Sequence, residues 1–318
     1  MKKYIQYIVI LVGFAGLLCC ELETSHEPTI NAEPRNLDQA WKDYWYNGTA
    51  ELNRYDLEQA RYGEIRKGDA VLIFVTEDFL MDRQVKYEGG PKDQVGSVLK
   101  LNATKKFWTG VYPYSLMTSI FTPIAQAAPS LKVTTSAQEW CGHSFSQLNL
   151  RGNQYEGLLR SYFMREGDRE FELETAMLED GVWNQIRLDP NSLPTGSIKM
   201  IPGMQFLRLR HEDFGVETVE ASLRTDEATG LMKYRLDYQD LNRVLEISFE
   251  KKSPYKIMGW EETSGGGRDG SLTTRATLTN SLRSPYWGKN SLADSVLQYG
   301  HRVSQADSVL RQELGLWD

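Results

Sequence analysis

Cysteine is scarce in this chain, and the scarcity sets the first constraint. Only three of 318 residues are cysteine. Cys19 and Cys20 close an amino-terminal apolar run, so Cys141 alone remains for the body of the protein. No internal disulfide can form there, and the fold has to be stable through its core. Histidine is nearly as rare: His26, His143, His211 and His301 stand far apart, with none of the spacings a zinc site uses. No metal and no cofactor is expected. A basic excess is missing too. With a net charge of −7 and no basic stripe, nothing points to nucleic acid, where Lys and Arg must neutralise phosphate. No apolar run reaches the roughly 20 residues a membrane-spanning helix needs. The glycine-rich run from Gly265 to Gly270 is followed by no Gly-Lys-Ser/Thr, so it reads as a hairpin loop and not a phosphate cradle.

What is present begins with the leader. Lys2 and Lys3 precede an apolar run from Ile5 to Leu18, the pattern of a secretory signal. It ends Leu17-Leu18-Cys19-Cys20, which resembles a bacterial lipobox with Cys20 as the acylated residue and Cys19 as the small residue before it. Residues 1–19 are then the signal peptide. Removing them takes away two lysines and no acid, moving the net charge from −7 to −9. Residues 20–36 are polar, carry Pro28 and Pro34, and read as a flexible tether.

Residues 37–288 read as one mainly β domain. A short helix starts at Asn36 or Asp38 and runs to Tyr46, stopped by Asn47-Gly48. Period two dominates after that. Thr49 to Arg61 is a strand, Gly68 ends it, and Ala70 to Val75 is a buried central strand. Ser97 to Trp108 and Val111 to Ile120 bracket a turn at Thr109-Gly110, and Tyr155 to Met164 and Arg169 to Met177 bracket another at Glu166-Gly167-Asp168. Asp180 to Leu188 is an internal helix with Asp180 as its cap. Met204 to His211, Glu217 to Leu223, Leu231 to Tyr238, Val244 to Phe249, Tyr255 to Trp260 and Ser271 to Leu278 read as further strands. Met232, Tyr234, Leu236 and Tyr238 alternate strictly with polar residues, the mark of an antiparallel sheet with one wet face. The expected architecture is a large curved antiparallel sheet or partly closed β-barrel with a few short helices. Its pattern resembles the half-barrel lipoprotein carriers of the envelope. Residues 289–318 form a helical tail holding a repeat, Ser291 to Leu297 and Ser304 to Leu310.

Thr135 to Leu150 holds the one candidate for chemistry. If it is a strand, Cys141 and His143 share a face, and Glu139 shares it with them. A thiolate–imidazole pair with a carboxylate orienter follows from that spacing, as does the alternative of a plain buried thiol beside a hydrogen-bonded histidine.

Seven segments carry a wider resemblance. They are Asp43-Tyr-Trp-Tyr-Asn-Gly-Thr-Ala-Glu51, Leu57-Glu-Gln-Ala-Arg-Tyr-Gly63, Val75-Thr-Glu-Asp-Phe-Leu80, Thr109-Gly-Val-Tyr-Pro-Tyr114, Gln138-Glu-Trp-Cys-Gly-His143, Leu207-Arg-Leu-Arg-His211 and Gly259-Trp-Glu-Glu-Thr263. As a set they resemble a family of uncharacterised Bacteroidetes lipoproteins often labelled "septum formation inhibitor Maf". The Ser-x-Ser-Pro-Arg-Arg motif and α/β pattern of the true Maf nucleotide pyrophosphatases are absent here, and the resemblance supplies no catalytic residue. It implies a lipid-anchored protein of the cell envelope, periplasmic or surface-facing. Such a protein would bind a small apolar ligand or an envelope partner. A thiol-dependent hydrolase using Cys141 and His143, or a structural assembly subunit, are the alternatives.

Overall fold

The computed structural model describes residues 33–265 and 271–294, and one curved sheet organises them. Its first half comprises Ala50–Arg61 (β1), Glu64–Leu80 (β2), Val85–Lys86 (β3), Val95–Thr109 (β4), Tyr112–Pro123 (β5), Lys132–Glu139 (β6), Gly142–Arg151 (β7), Gln154–Ser161 (β8) and Arg169–Glu174 (β9). The second half comprises Met177–Leu178 (β10), Gly196–Ile201 (β11), Glu217–Thr225 (β12), Met232–Tyr238 (β13), Arg243–Phe249 (β14), Ile257–Ser264 (β15) and Thr273–Ser284 (β16). Gln39–Trp45 (α1), Glu179–Leu188 (α2) and Met204–Arg210 (α3) are the α-helices.

Strand order is β10-β11-β12-β13-β14-β15-β16-β1-β2-β4-β5-β6-β7-β8-β9, with β3 pairing outside this path. The first and last long strands therefore meet in the middle, Ala50 opposite Ser284. The two edges, β9 and β10, are joined only by Thr175 and Ala176, a link that spans at most about 11 Å. Their ends must lie close together, so the sheet curls nearly round on itself, yet no ladder pairs them and it stays open.

The strands alternate as a one-sided sheet must. On β1, Tyr55 and Leu57 are buried in register with Glu51, Asn53, Gln59 and Arg61. On β14, Leu245, Ile247 and Phe249 are buried in register with Arg243. Burying each of these apolar side chains contributes about 1.5–3 kcal/mol. The concave side is filled by the helices. Asp38 caps α1 through the Trp41 N–H at 2.7 Å, and α1 buries Trp41 and Trp45 at one end of the interior. α2 runs through the middle, where the Asn184 amide donates to Leu99 O and Thr122 Oγ1, both at 2.9 Å. α3 closes the other end, with Arg61 donating to Leu209 O.

Several details depart from the sequence pattern. Gly68 does not end a strand; the turn falls at Tyr62-Gly63, where both residues have positive φ, and Gly68 lies inside β2. A Cβ there would stand 2.2 Å from Lys106 O, so the glycine permits a close approach of two backbones. Thr135 to Leu150 is not one strand but the hairpin β6–β7. Arg169 to Met177 stops at Glu174, and Met177 starts β10. Met204 to His211 is α3, not a strand: its period-two appearance is overridden because Met204, Gln205, Phe206 and Leu207 are all buried in the concavity. Residues 33–36, read as tether, are fixed to the body: Pro34 bridges Gln126, and Arg35 N donates to Ala125 O at 2.8 Å. Cys20, the signal peptide and residues 295–318, which hold the end of the first tail repeat and all of the second, lie outside the described residues.

Candidate functional site

The turn between β6 and β7 separates the residues singled out by spacing. Glu139 is the last residue of β6 and turns inward; its carboxylate accepts the Cys141 N–H at 2.7 Å and pairs with Arg208 at 3.8 Å. Cys141 is exposed in the turn, and His143 is exposed on β7, opposite Gln138 on the outer face. Glu139 and His143 thus stand on opposite faces, and the same-face premise fails because the chain reverses between them. The neighbouring Glu139 carboxylate also pushes the Cys141 thiol above its ordinary range. Thiolate chemistry needs the reverse. His211 belongs to a different cluster at the end of α3, where its Nδ1 lies 2.5 Å from Glu166 Oε1 and Arg208 lies 3.4 Å from the same oxygen. Among the described residues no group of three His, Cys, Asp or Glu side chains is arranged to hold a metal ion.

A second set of charges gathers where the helices meet the sheet. Lys105 comes from β4, Arg243 from β14, Glu262 from β15, and Glu179 and Asp180 from the first turn of α2. Together with Trp183, Trp260, Phe206 and Gln205 they line a recess with about 50 Å³ of free volume. A buried water needs roughly 10–15 Å³ by this measure, so a few waters or one small polar group fit.

Most of these groups have partners. Arg243 donates to both oxygens of Glu179, at 2.5 and 2.8 Å, and through Nε to Glu262 at 2.8 Å. The Tyr238 hydroxyl donates to Glu179 at 2.7 Å. Burial works against ionised Glu262, but Arg243 and Lys105 hold its pKa below the ordinary carboxylate range. Asp180 does not cap its own helix. It accepts the Met204 N–H at 2.9 Å and so caps α3 instead. Burial, reinforced by Glu179, pushes the Asp180 carboxyl up to about 7 despite that hydrogen bond, Arg243 and Lys105.

Lys105 is the exception. Its ammonium has no hydrogen bond and no ion pair within 4 Å among the described residues, and its Nζ stands 6.0 Å from the centre of the Trp260 ring. Burial pushes its pKa down. The signal for it was in the sequence: Leu99, Leu101, Ala103, Lys105 and Phe107 alternate on one face, so a lysine occupies an apolar register.

The recess within the concavity is far smaller than the roughly 300–1,000 Å³ a small-molecule pocket takes. A wider depression of about 590 Å³ lies on the outer side of β7, β8 and β9, lined by Glu156, Glu170 and Glu172. Fold and site together define an open antiparallel β meander with a helix-filled interior and a charge-lined recess. No protein-family model, curated protein or solved structure matches the chain.

Proposed function

We propose that this is a lipid-anchored protein of a bacterial cell envelope that acts by binding, and that the recess around Lys105 takes a small, neutral polar group. The unpartnered Lys105 ammonium carries the reading. The ammonium is half-buried, and its charge is disfavoured there unless an acceptor is supplied. With Asp180 protonated, Lys105 and Arg243 balance Glu179 and Glu262, so the recess has no net charge for an ionic ligand to neutralise. A hydroxyl or amide group fits that balance: its oxygen accepts from Lys105 while its hydrogen donates to a carboxylate. Trp183 and Trp260 supply apolar walls for the rest of such a ligand.

The anchor rests on Lys2, Lys3, the apolar run and Cys20, in keeping with the likeness to Bacteroidetes lipoproteins. An apolar-ligand carrier is the weaker reading, because three helices occupy the concavity and about 50 Å³ does not admit an acyl chain.

Two measurements test the proposal. Mass analysis of the native amino-terminal peptide should find acylation that Cys20→Ser abolishes; an unmodified native terminus removes the anchor. Thermal-shift titration with small sugars and amides should raise the melting temperature of the wild type and not of Lys105→Met. Equal shifts in both proteins, or none in either, remove the binding site.

A further inference from the structure

Six large exposed apolar side chains stand on successive hairpins at one end of the sheet, while Tyr46, Trp287 and Leu292 are exposed elsewhere. Because β1, β4, β6 and β8 run in the same direction, the β1–β2, β4–β5, β6–β7 and β8–β9 connections all emerge at that end. They carry Ile65, Trp108, Val111, Trp140, Tyr162 and Met164, which are 40%, 56%, 77%, 71%, 76% and 96% exposed. Neighbouring tips are two strands apart, about 10 Å, so the row is an arc roughly 30 Å long.

We propose that this row of hairpin tips docks onto a lipid bilayer, its Trp and Tyr side chains entering the headgroup region. Three observations favour a bilayer over a protein partner. The apolar groups stand on successive turns along one edge, with Trp140 stacked on Tyr112 of the next hairpin, an extended row suited to a yielding surface more than to a compact complementary one. Trp and Tyr, with one apolar and one polar end, are the residues that prefer the membrane–water interface. The local charge also fits. Around the tips, Glu64 is paired with Arg66, Glu58 with Lys67, and Asp168 lies 4.0 Å from Arg160. The exposed cations Lys106 and Arg165 have no ion pair among the described residues and are free to meet anionic headgroups.

The row does not depend on acylation. The described chain starts at the opposite end, where Pro34 pairs with Gln126, and the 12 residues of β5 put that point about 40 Å from the β4–β5 tip. Trp287, 53% exposed beyond the end of β16, marks the opposite end and serves as a control.

The full chain is reconstituted through its apolar amino terminus into phosphatidylglycerol/phosphatidylcholine vesicles. Dibrominated lipids, which quench tryptophan on contact, are placed either in those vesicles or in a second, added population. Quenching in at least one arrangement should be lost in W108F/W140F and kept in W287F. Quenching that persists in W108F/W140F but disappears in W287F, or no quenching dependent on Trp108 and Trp140 in either arrangement, overturns the proposal. Unchanged circular dichroism of the variants, expected for exposed tips, confirms that they fold.

Discussion

Asp180→Asn isolates a strongly perturbed carboxyl in the recess. The fold holds the Asp180 carboxyl at about 7, against 3.8 unperturbed. The folded protein therefore binds this proton more tightly than the unfolded chain does. Below pH 3.8 both states are protonated and ionisation costs nothing. Between 3.8 and about 7 stability falls as pH rises, and above 7 the full penalty applies. At 1.36 kcal/mol per pH unit the gap corresponds to about 4 kcal/mol as an upper value. Asparagine is neutral at every pH and keeps an oxygen for the Met204 N–H. The variant should melt higher than the wild type at pH 8, by roughly 8–16 °C at 2–4 °C per kcal/mol, and the difference should vanish near pH 4. Glu179, Arg243 and Lys105, which act on Asp180, and Glu262, which lines the same recess, are common to both proteins, so the difference reports Asp180. Calorimetric scans from pH 4 to 8.5 provide the test. A difference that stays constant with pH would refute the reasoning.

Three further outcomes follow from other parts of the fold. Arg187 and Glu51 form a fully buried bidentate pair at 2.6 and 2.8 Å. Arg187→Met should cost about 3–5 kcal/mol in urea unfolding by stranding the carboxylate, and adding Glu51→Gln should recover much of it. Burial opposes ionised Glu51, but Arg187 outweighs it and holds the carboxyl at about 2, so this pair's contribution is present above pH 4.5 and lost as pH falls towards 2. Cys141 should react with iodoacetamide at pH 7.5 more slowly than a free cysteine; Glu139→Gln should speed the reaction and His143→Ala should leave it unchanged. Gly259→Ala places a Cβ 2.4 Å from Ala276 O, and should lower stability by about 1–3 kcal/mol, read as a lower urea midpoint.

The sheet was legible because its strands alternate, and alternation is a local property. β13 and β14 keep it without interruption, and both form as read. The site was harder to see, for two reasons. Spacing along one strand brought Cys141, His143 and Glu139 together only while the turn at Trp140-Cys141 went unrecognised; a two-residue hairpin puts Glu139 and His143 on opposite faces. The recess draws on β4, β14, β15, α2 and α3, and no local pattern reports which distant elements meet. Even so, its members leave a trace. Lys105 and Arg243 each occupy an inward register otherwise filled by apolar residues, and a charge in that position needs a partner or a ligand. α3 left no such trace: Phe206-Leu207-Arg208-Leu209-Arg210 alternates like a strand, and only the concavity that receives it makes it a helix.

An open sheet of this width exposes two edges, and each is protected differently. β9 presents Glu170, Glu172 and Glu174 outward in strict alternation, so a second copy pairing there would bring like charges opposite one another. β10 has only two residues and passes directly into α2, leaving too little free backbone to template a new strand. That arrangement also explains why α2 carries so many of the buried charges. The seam lies where the chain leaves β9, so the helix that follows enters the concavity there. Glu179 on α2 then ties to Arg243 in the second half of the sheet, and Arg187 on the same helix ties to Glu51 at the start of the first. The two ion pairs connect the halves through one helix across a sheet that hydrogen bonding does not close.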